Sequence, residues 1–127
     1  MELTELNKVF TQDYLDTLLP NTISDQFFEA LYGDASDGAY DISLEYISAS
    51  DKRIVLAFSL TQRPDKCLAC NLTYGLPNVF LRHPLINIKG MVTKIEKKGV
   101  KIKSWSLGQT KEKSSSLHLV PFFIELE

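Results

Sequence analysis

The stretch "IVLAFSLT" (residues 54–61) alternates large apolar residues with smaller ones. The large set is Ile54, Leu56, Phe58 and Leu60, and the smaller set is Val55, Ala57, Ser59 and Thr61. A period of two is typical of a β-strand, whose successive side chains point to opposite faces of the sheet. Large residues on one side and small residues on the other predict a central strand, with one face on the core and the other partly covered.

Other segments on both sides of this stretch repeat the two-residue period. The segments are residues 40–46, residues 67–74, "VKIKSWSLG" (100–108) and residues 117–126, where Pro121 indicates an edge or a bulge. The polar run "QTKEKSSS" (109–116) is predicted to be a flexible loop. Because short turns join the first three strands, we expect an antiparallel sheet of about five strands.

Helical spacing occurs at the N-terminus and once more after the third predicted strand. Apolar residues recur at three- and four-residue steps up to Pro20, and a second helix begins near Thr22 and ends at Gly33. An amphipathic helix with lysines near its end is predicted over residues 84–98, between strands 3 and 4. The sequence therefore predicts a two-layer α+β domain with N-terminal helices.

Length and composition indicate one soluble domain that covers residues 1–127. The chain is 44% hydrophobic and 24% charged, as in an average globular protein. No apolar run reaches the roughly 18 residues that span a bilayer, and the N-terminus has acids where a secretory signal has positive charge. We expect a cytoplasmic protein without membrane contact, whose two cysteines stay reduced.

The net charge of −2 hides an asymmetry between the two parts of the chain. Residues 1–51 contain eleven acids and one lysine, a net charge of −10, whereas residues 52–127 contain thirteen basic residues and five acids, a net charge of +8. Such segregation either marks an interaction surface or reflects complementarity between parts that pack together.

The cysteines of "KCLACNLTYGLP" (66–77) allow three interpretations. On a strand, Cys67 and Cys70 point to opposite faces, which favours two structural residues over a redox pair. The spacing Cys67-x2-Cys70-x12-His83 also matches three ligands of a structural zinc site, with His118 as the remaining histidine. Zinc is the one cofactor that the sequence suggests.

The sequence favours a protein without enzymatic activity over an enzyme. The chain has no phosphate-binding glycine loop, no HExxH and no GxSxG. A thiol-based enzyme would need Cys67 and His83 to meet in the fold. No catalytic residue is therefore assigned.

Lysines are dense from residue 89 to residue 113 and surround Trp105. Basic side chains beside an aromatic ring suit phosphate neutralisation and base stacking, so a nucleic-acid-binding domain is one alternative. Alternatively, the lysines form a solvated face that protects strand edges.

The main interpretation is a protein-interaction or chaperone-like adaptor module without enzymatic activity. A structural zinc-binding domain, a nucleic-acid-binding domain and a thiol-based enzyme are the alternatives. We expect the partner to be another protein or a second copy in a homodimer. The candidate interaction residues are Arg63, Asn71, Tyr74, Arg82, Lys94, Lys98 and Trp105.

Overall fold

The computed structural model describes residues 8–20, 22–33, 40–64, 76–83 and 85–127. The helices are α1 (Gln12–Leu18), α2 (Thr22–Tyr32), α3 (Leu76–Arg82) and α4 (Ile88–Glu96). The strands are β1 (Tyr40–Ala49), β2 (Arg53–Gln62), β3 (Ile102–Leu107), β4 (Lys111–Ser114) and β5 (Leu117–Leu126). Within these ranges no helix is long and apolar enough to cross a bilayer.

The five strands form one antiparallel sheet in the order β1-β2-β5-β3. Strand β4 also pairs with β5, so β3 and β4 follow one another along the same edge of β5. β2 and β5 lie at the centre and pair without interruption from Arg53↔Glu125 to Thr61↔Leu117. The α+β class and the five-stranded antiparallel sheet are therefore confirmed.

One face of the sheet, which we call the core face, carries the large residues of the opening stretch. Ile54, Leu56, Phe58 and Leu60 are buried, and each pairs with a buried residue of β5. Those β5 residues are Ile124, Phe122, Val120 and His118. Helical side chains complete the same hydrophobic cluster. The alternation in β2 thus predicts its buried face correctly.

A row of aromatic rings joins the helices to the core face. Phe27 of α2 contacts Phe80 of α3 at 5.8 Å between ring centroids, and Phe80 contacts Phe58 of β2 at 5.2 Å. Phe58 in turn stacks on Phe122 of β5 at 5.8 Å. Because aromatic side chains bury large areas and prefer tilted or offset contacts, this row fixes α2 and α3 over the centre of the sheet.

Local capping sets where the helices begin and end. The Thr11 hydroxyl accepts a hydrogen bond from the amide of Tyr14 and starts α1. α2 ends at Gly33, which has a positive φ of 82° and matches the predicted stop. α4 starts at Ile88, after the N-cap Asn87, and not at Pro84 as the sequence suggested. Ile88, Met91, Val92 and Ile95 form its buried stripe, so its amphipathic character is confirmed.

The order of elements differs from the prediction in two places. Residues 111–114, predicted to be a flexible loop, form β4, whose four side chains are all exposed and therefore give no apolar alternation. Among the described residues, β1 and β2 alone precede α4, which follows α3 and lies between β2 and β3. The predicted strand at residues 67–74 lies outside the described residues.

Side chains from the helices cover the outer edge of β1. The Ser24 hydroxyl of α2 accepts a hydrogen bond from the amide of Ile42 at 2.8 Å and donates one to its carbonyl at 3.3 Å. The Gln12 side-chain amide of α1 donates to the carbonyl of Leu44 at 3.0 Å. Exposed edges invite pairing with other chains, so these contacts close part of an edge and hold two helices in place.

Replacing Ser24 by alanine should lower the free energy of unfolding by about 1–3 kcal/mol, because two buried backbone groups of Ile42 lose their partner. Chemical denaturation followed by circular dichroism measures the change. Thr93→Ala is the matched control, since its hydroxyl also bonds to a backbone carbonyl but is exposed. It should change stability by no more than about 0.5 kcal/mol. Equal losses in both variants would contradict the role given to Ser24.

Candidate interaction surface

Arg63, a predicted interaction residue, connects α2 to β1. Its guanidinium group contacts Asp25 of α2 at 2.8 Å and Asp41 of β1 at 3.0 Å. It also lies 5.3 Å from the centre of the Phe28 ring. Because only 16% of the Arg63 side chain is exposed, its first role is to tie a helix to the sheet.

The zinc prediction is only partly covered by the described residues, because Cys67 and Cys70 lie outside them. His83 follows α3, its ring packs on Phe27, and its Nδ1 accepts a hydrogen bond from the amide of Leu85. His118 is buried on the core face of β5. In the part of the chain that is described, no three His, Cys, Asp or Glu side chains cluster as metal ligands. The zinc site therefore stays a prediction, in which His83 would use Nε2.

The predicted residues Lys94, on α4, and Lys98, just beyond the end of α4, face α1. Together with Lys97 they border a shallow groove whose other wall contains Tyr14, Thr17 and Leu18. The Lys98 ammonium group is 5.1 Å from the centre of the Tyr14 ring, a cation–π contact. The Tyr14 hydroxyl is buried and has no hydrogen-bond partner among the described residues, and this burial raises its pKa.

Trp105 packs against strand β5. It belongs to β3, where it pairs with Ile124 and its ring meets Phe122 edge-on at 6.1 Å between centroids. The side chain is half-buried against the hydrophobic core. In the predicted combination of Trp105 with the lysine run, the aromatic ring therefore packs against the core. Of the other predicted interaction residues, Arg82 is exposed at the end of α3, and Asn71 and Tyr74 lie outside the described residues.

The second face of the sheet, which we call the open face, carries the small residues of β2. Val55, Ala57 and Ser59 point to this side and pair in register with Phe123, Pro121 and Leu119 of β5. A groove of about 150 Å³ follows these strands. Its lining residues are Ile47, Val55, Leu56, Ala57, Lys111, Lys113, Leu119, Pro121 and Phe123.

Ile47 is the most exposed apolar side chain among the described residues of the groove. A register shift between Tyr46 and Ser48 places Ile47 in a bulge of β1, where 47% of its surface is exposed. Leu81 on α3 is the other large apolar side chain that is this exposed among the described residues. An isolated exposed isoleucine is ordinary, but Ile47 borders a groove in which Val55 and Phe123 are half-buried and Ala57, Leu119 and Pro121 are buried.

Phe123 forms the wall of the groove near one end. It lies against Gly108, where an added Cβ would come within 2.9 Å of the Phe123 ring. Arg53 lies over the other side of the ring, 5.1 Å from its centre, and pairs with Glu125. The glycine is therefore needed for a close approach, and the ring is held in one position beside the groove.

Opposite charges occupy the two sides of the open face. Glu45 of β1 pairs with Ala57 and so shares the face of the groove, whereas Lys111 and Lys113 of β4 line it from the opposite edge. No ion pair joins Glu45 or either lysine to a described residue. The groove thus offers apolar contact at its centre and unpaired charges of opposite sign along its sides.

The sequence contained one signal for this surface that the prediction did not use. In "LHLVPFFIEL" (117–126) both sets of alternating positions are largely apolar, which is typical of a strand whose two faces are both covered. The alternation of Val120, Phe122, Ile124 and Leu126 indicates only one of these two faces. The remaining positions include Leu119, Pro121 and Phe123, which form half of the groove.

Comparisons with models of protein families, with curated proteins and with solved structures yield no match to this chain. We therefore infer a function from the geometry of the surface.

Tyr14→Phe should make the protein less sensitive to alkaline pH. Burial raises the Tyr14 pKa in the folded state, whereas in the unfolded chain a tyrosine ionises near its usual pKa of about 10. The unfolded chain therefore loses this proton first. The stability that the protonated Tyr14 hydroxyl contributes is complete below the pKa of the unfolded chain and is lost as pH rises through the folded pKa.

Denaturation curves of both proteins between about pH 8 and pH 11 measure this effect. The difference in unfolding free energy should be constant at the lower pH values and should move in favour of the Phe variant above about pH 10. A difference that stays constant over the whole range would show that burial does not raise the Tyr14 pKa.

Proposed function

We propose that this protein is a non-enzymatic protein-interaction module, of the adaptor or chaperone-like kind, and that it binds through the open face of its sheet. The observation that carries this proposal is the apolar groove between β2 and β5, which continues to the exposed Ile47. A contiguous apolar surface with a polar border is typical of a site where one protein binds another.

The edges of the sheet support a face-to-face mode of binding over strand addition. Ser24 and Gln12 cover backbone groups of β1, so a partner strand cannot pair freely there. At the other edge β3 and β4 are short, are interrupted at residues 108–110, and carry exposed lysines. We therefore expect a folded partner that presents a flat apolar patch with acidic groups opposite Lys111 and Lys113.

The chemistry of the groove supports binding over catalysis. Among the described residues that line the groove, Lys111 and Lys113 alone are ionisable, and two lysines are not a pair suited to acid–base or nucleophilic chemistry. The thiol-enzyme and zinc alternatives depend on Cys67 and Cys70 and stay predictions.

The placement of the lysines weighs against the nucleic-acid alternative. Lys94 and Lys98 border the groove between α1 and α4 on the helical side, whereas Lys111 and Lys113 border the open face. A strand of nucleic acid that tracks its phosphates along one surface would not meet both groups. Trp105, which would supply the stacking ring, packs against the core.

Under this proposal, residues 1–127 form one two-layer domain that acts in the cytoplasm. The helical layer stabilises the sheet by covering the core face, and the sheet supplies the binding surface. A surface on β2 and β5 is rigid because these central strands pair with each other without interruption, which lowers the entropic cost of binding.

Photo-cross-linking in cells tests the proposal. A benzophenone amino acid in place of Ile47 should give a covalent adduct of discrete mass, whereas the same probe in place of the exposed Lys89 on α4 should not. The charge reversals Lys111→Glu and Lys113→Glu should reduce the Ile47 adduct severalfold, because they repel the acidic groups that we expect on the partner. Equal labelling from positions 47 and 89, or an adduct that both reversals leave unchanged, would show that the open face is not the binding surface.

A further inference from the structure

We propose that the groove between α1 and α4, which we call the α1–α4 groove, binds a small phosphorylated compound through three lysines. This site lies on the helical side of the sheet and does not depend on the function proposed for the open face. The groove has a volume of about 440 Å³, within the range of about 300–1,000 Å³ that is typical of small-ligand sites. Its described lining residues are Tyr14, Thr17, Leu18, Lys94, Lys97 and Lys98.

The local structure at the end of α4 brings the three lysines to one side of the helix. Residues three and four positions apart are neighbours on a helix surface, and Lys97 and Lys98 follow Lys94 at these steps. The amide of Lys97 donates a hydrogen bond to the carbonyl of Thr93 at 3.2 Å. The amide of Lys98 donates to the carbonyl of Ile95 at 3.0 Å, so the helical turn continues through both lysines. The backbone therefore sets the positions of all three side chains.

The positive charge of the α1–α4 groove is not neutralised within the described part of the chain. No ion pair joins Lys94, Lys97 or Lys98 to a described residue, and the described lining of the groove contains no acid. All three lysines are exposed. On α1, Asp16 accepts a hydrogen bond from Gln12 instead. Because the whole chain has a net charge of −2, this local cluster, and not the overall charge, would attract an anion.

The position of the lysines at the end of a helix explains only part of this arrangement. Cations are favourable at a helix C-terminus, where the dipole is equivalent to roughly half a negative charge. Three ammonium groups exceed that charge, and at helical spacing they repel one another. The carbonyl groups of Thr93, Ile95 and Glu96 accept backbone hydrogen bonds from the residues that follow, so they do not compete for the lysines. A ligand with several negative charges would remove the repulsion.

The α1 wall of the groove limits where the ligand lies. Tyr14, Thr17 and Leu18 are also spaced by three and four residues, which places them on one side of α1. The Lys98 ammonium group is 5.1 Å from the centre of the Tyr14 ring, and this contact restrains the cation beside the groove. The Thr17 hydroxyl already donates to the Tyr14 carbonyl at 2.6 Å, and Leu18 is buried. The lysines are therefore the groups that contact the ligand.

The cluster matches phosphate better than carboxylate. A carboxylate has one negative charge, whereas a phosphate monoester has about 1.5–2 at neutral pH and offers three acceptor oxygens. Lysine binds phosphate as a point charge and does not require the planar geometry of an arginine pair. A compound with two linked phosphate groups therefore suits three ammonium groups, and inorganic pyrophosphate is the simplest probe of this chemistry.

The packing of α4 favours a soluble phosphorylated compound over a lipid headgroup. A helix that binds to a membrane surface inserts its apolar side between the lipids. The apolar stripe of α4 is buried in the hydrophobic core and is not available for insertion. Among the described residues of the α1–α4 groove, no large apolar side chain is exposed.

Titration of the isotope-labelled full chain with inorganic pyrophosphate, followed by NMR, tests this inference. The amide signals of Thr17, Lys94, Lys97 and Lys98 should shift and saturate together, with a dissociation constant between about 10 µM and about 1 mM. Binding should weaken as sodium chloride is added, because salt screens exposed charges. Monophosphate should bind severalfold more weakly, and acetate should not bind. The absence of saturable shifts at these four amides would overturn the inference.

The triple variant Lys94→Gln/Lys97→Gln/Lys98→Gln should weaken pyrophosphate binding by about tenfold or more. The substituted side chains are exposed, so the variant should fold, and circular dichroism verifies this. An unchanged dissociation constant in the folded variant would show that the lysines do not form the site.

The matched control is Lys52→Gln/Lys89→Gln/Lys103→Gln, which removes the same charge from three exposed lysines outside the groove. It should leave pyrophosphate binding within about twofold of the original, because exposed charges at a distance are screened. Equal weakening in both triple variants would indicate diffuse attraction and would overturn a defined site.

Vesicles distinguish a soluble phosphorylated compound from a lipid headgroup. The protein should stay in the supernatant when it is sedimented with phosphatidylcholine vesicles that contain phosphatidic acid. Sedimentation with these vesicles that is lost in the variant lacking Lys94, Lys97 and Lys98 would assign the site to a membrane and would overturn the soluble ligand.

Discussion

The antiparallel pairing of β2 with β5 is the constraint on which the rest of the structure depends. The two strands stay in register over nine consecutive residue pairs at the centre of the sheet. Because side chains alternate along a strand, this register decides which residues of both strands reach the core. A slip of one residue in β5 would turn Phe122 and Ile124 away from the helices and bring Phe123 and Glu125 inward. The same register aligns the small residues of β2 with the large residues of β5 on the open face.

The two faces of this strand pair have different surroundings. The core face is covered by helical side chains, among which Phe27 and Phe80 contact one another and Phe80 reaches the sheet. Helix side chains also close part of the β1 edge, and β3 and β4 share the opposite edge. The open face between these edges has no helix of the described residues against it. A surface that is apolar, rigid and bordered by unpaired charges is suited to binding a flat partner.

The sequence predicts the covered half of the protein better than the open half. Periodicity located β1, β2 and β5, because one face of each strand is consistently large and apolar. It could not locate β4, whose four residues are all exposed, or α3, whose seven residues are too few to establish a helical period. The start of α4 was also missed, because an Asn87 side chain in a left-handed conformation caps it and Pro84 was the stronger local signal.

The candidate surface was harder to predict than the fold, because it depends on register between strands that are distant in sequence. Lys111, Ser59 and Ser43 share one level of the sheet although 68 positions separate the first from the last. No local pattern shows that Glu45 and Lys111 border one groove. Two of the predicted interaction residues, Arg63 and Trp105, make contacts within the fold that no local pattern of the sequence indicates.

Oxidative footprinting of Phe122 and Phe123 tests most directly whether the central strands have one closed face and one open face. These neighbours point to opposite sides of β5, and hydroxyl radicals followed by peptide mass spectrometry measure their accessibility separately. In dilute protein, Phe123 should be oxidised and Phe122 protected, since Phe122 is 0% exposed. Equal oxidation of both rings, or stronger oxidation of Phe122, would contradict the register of β2 and β5 and the surface that follows from it.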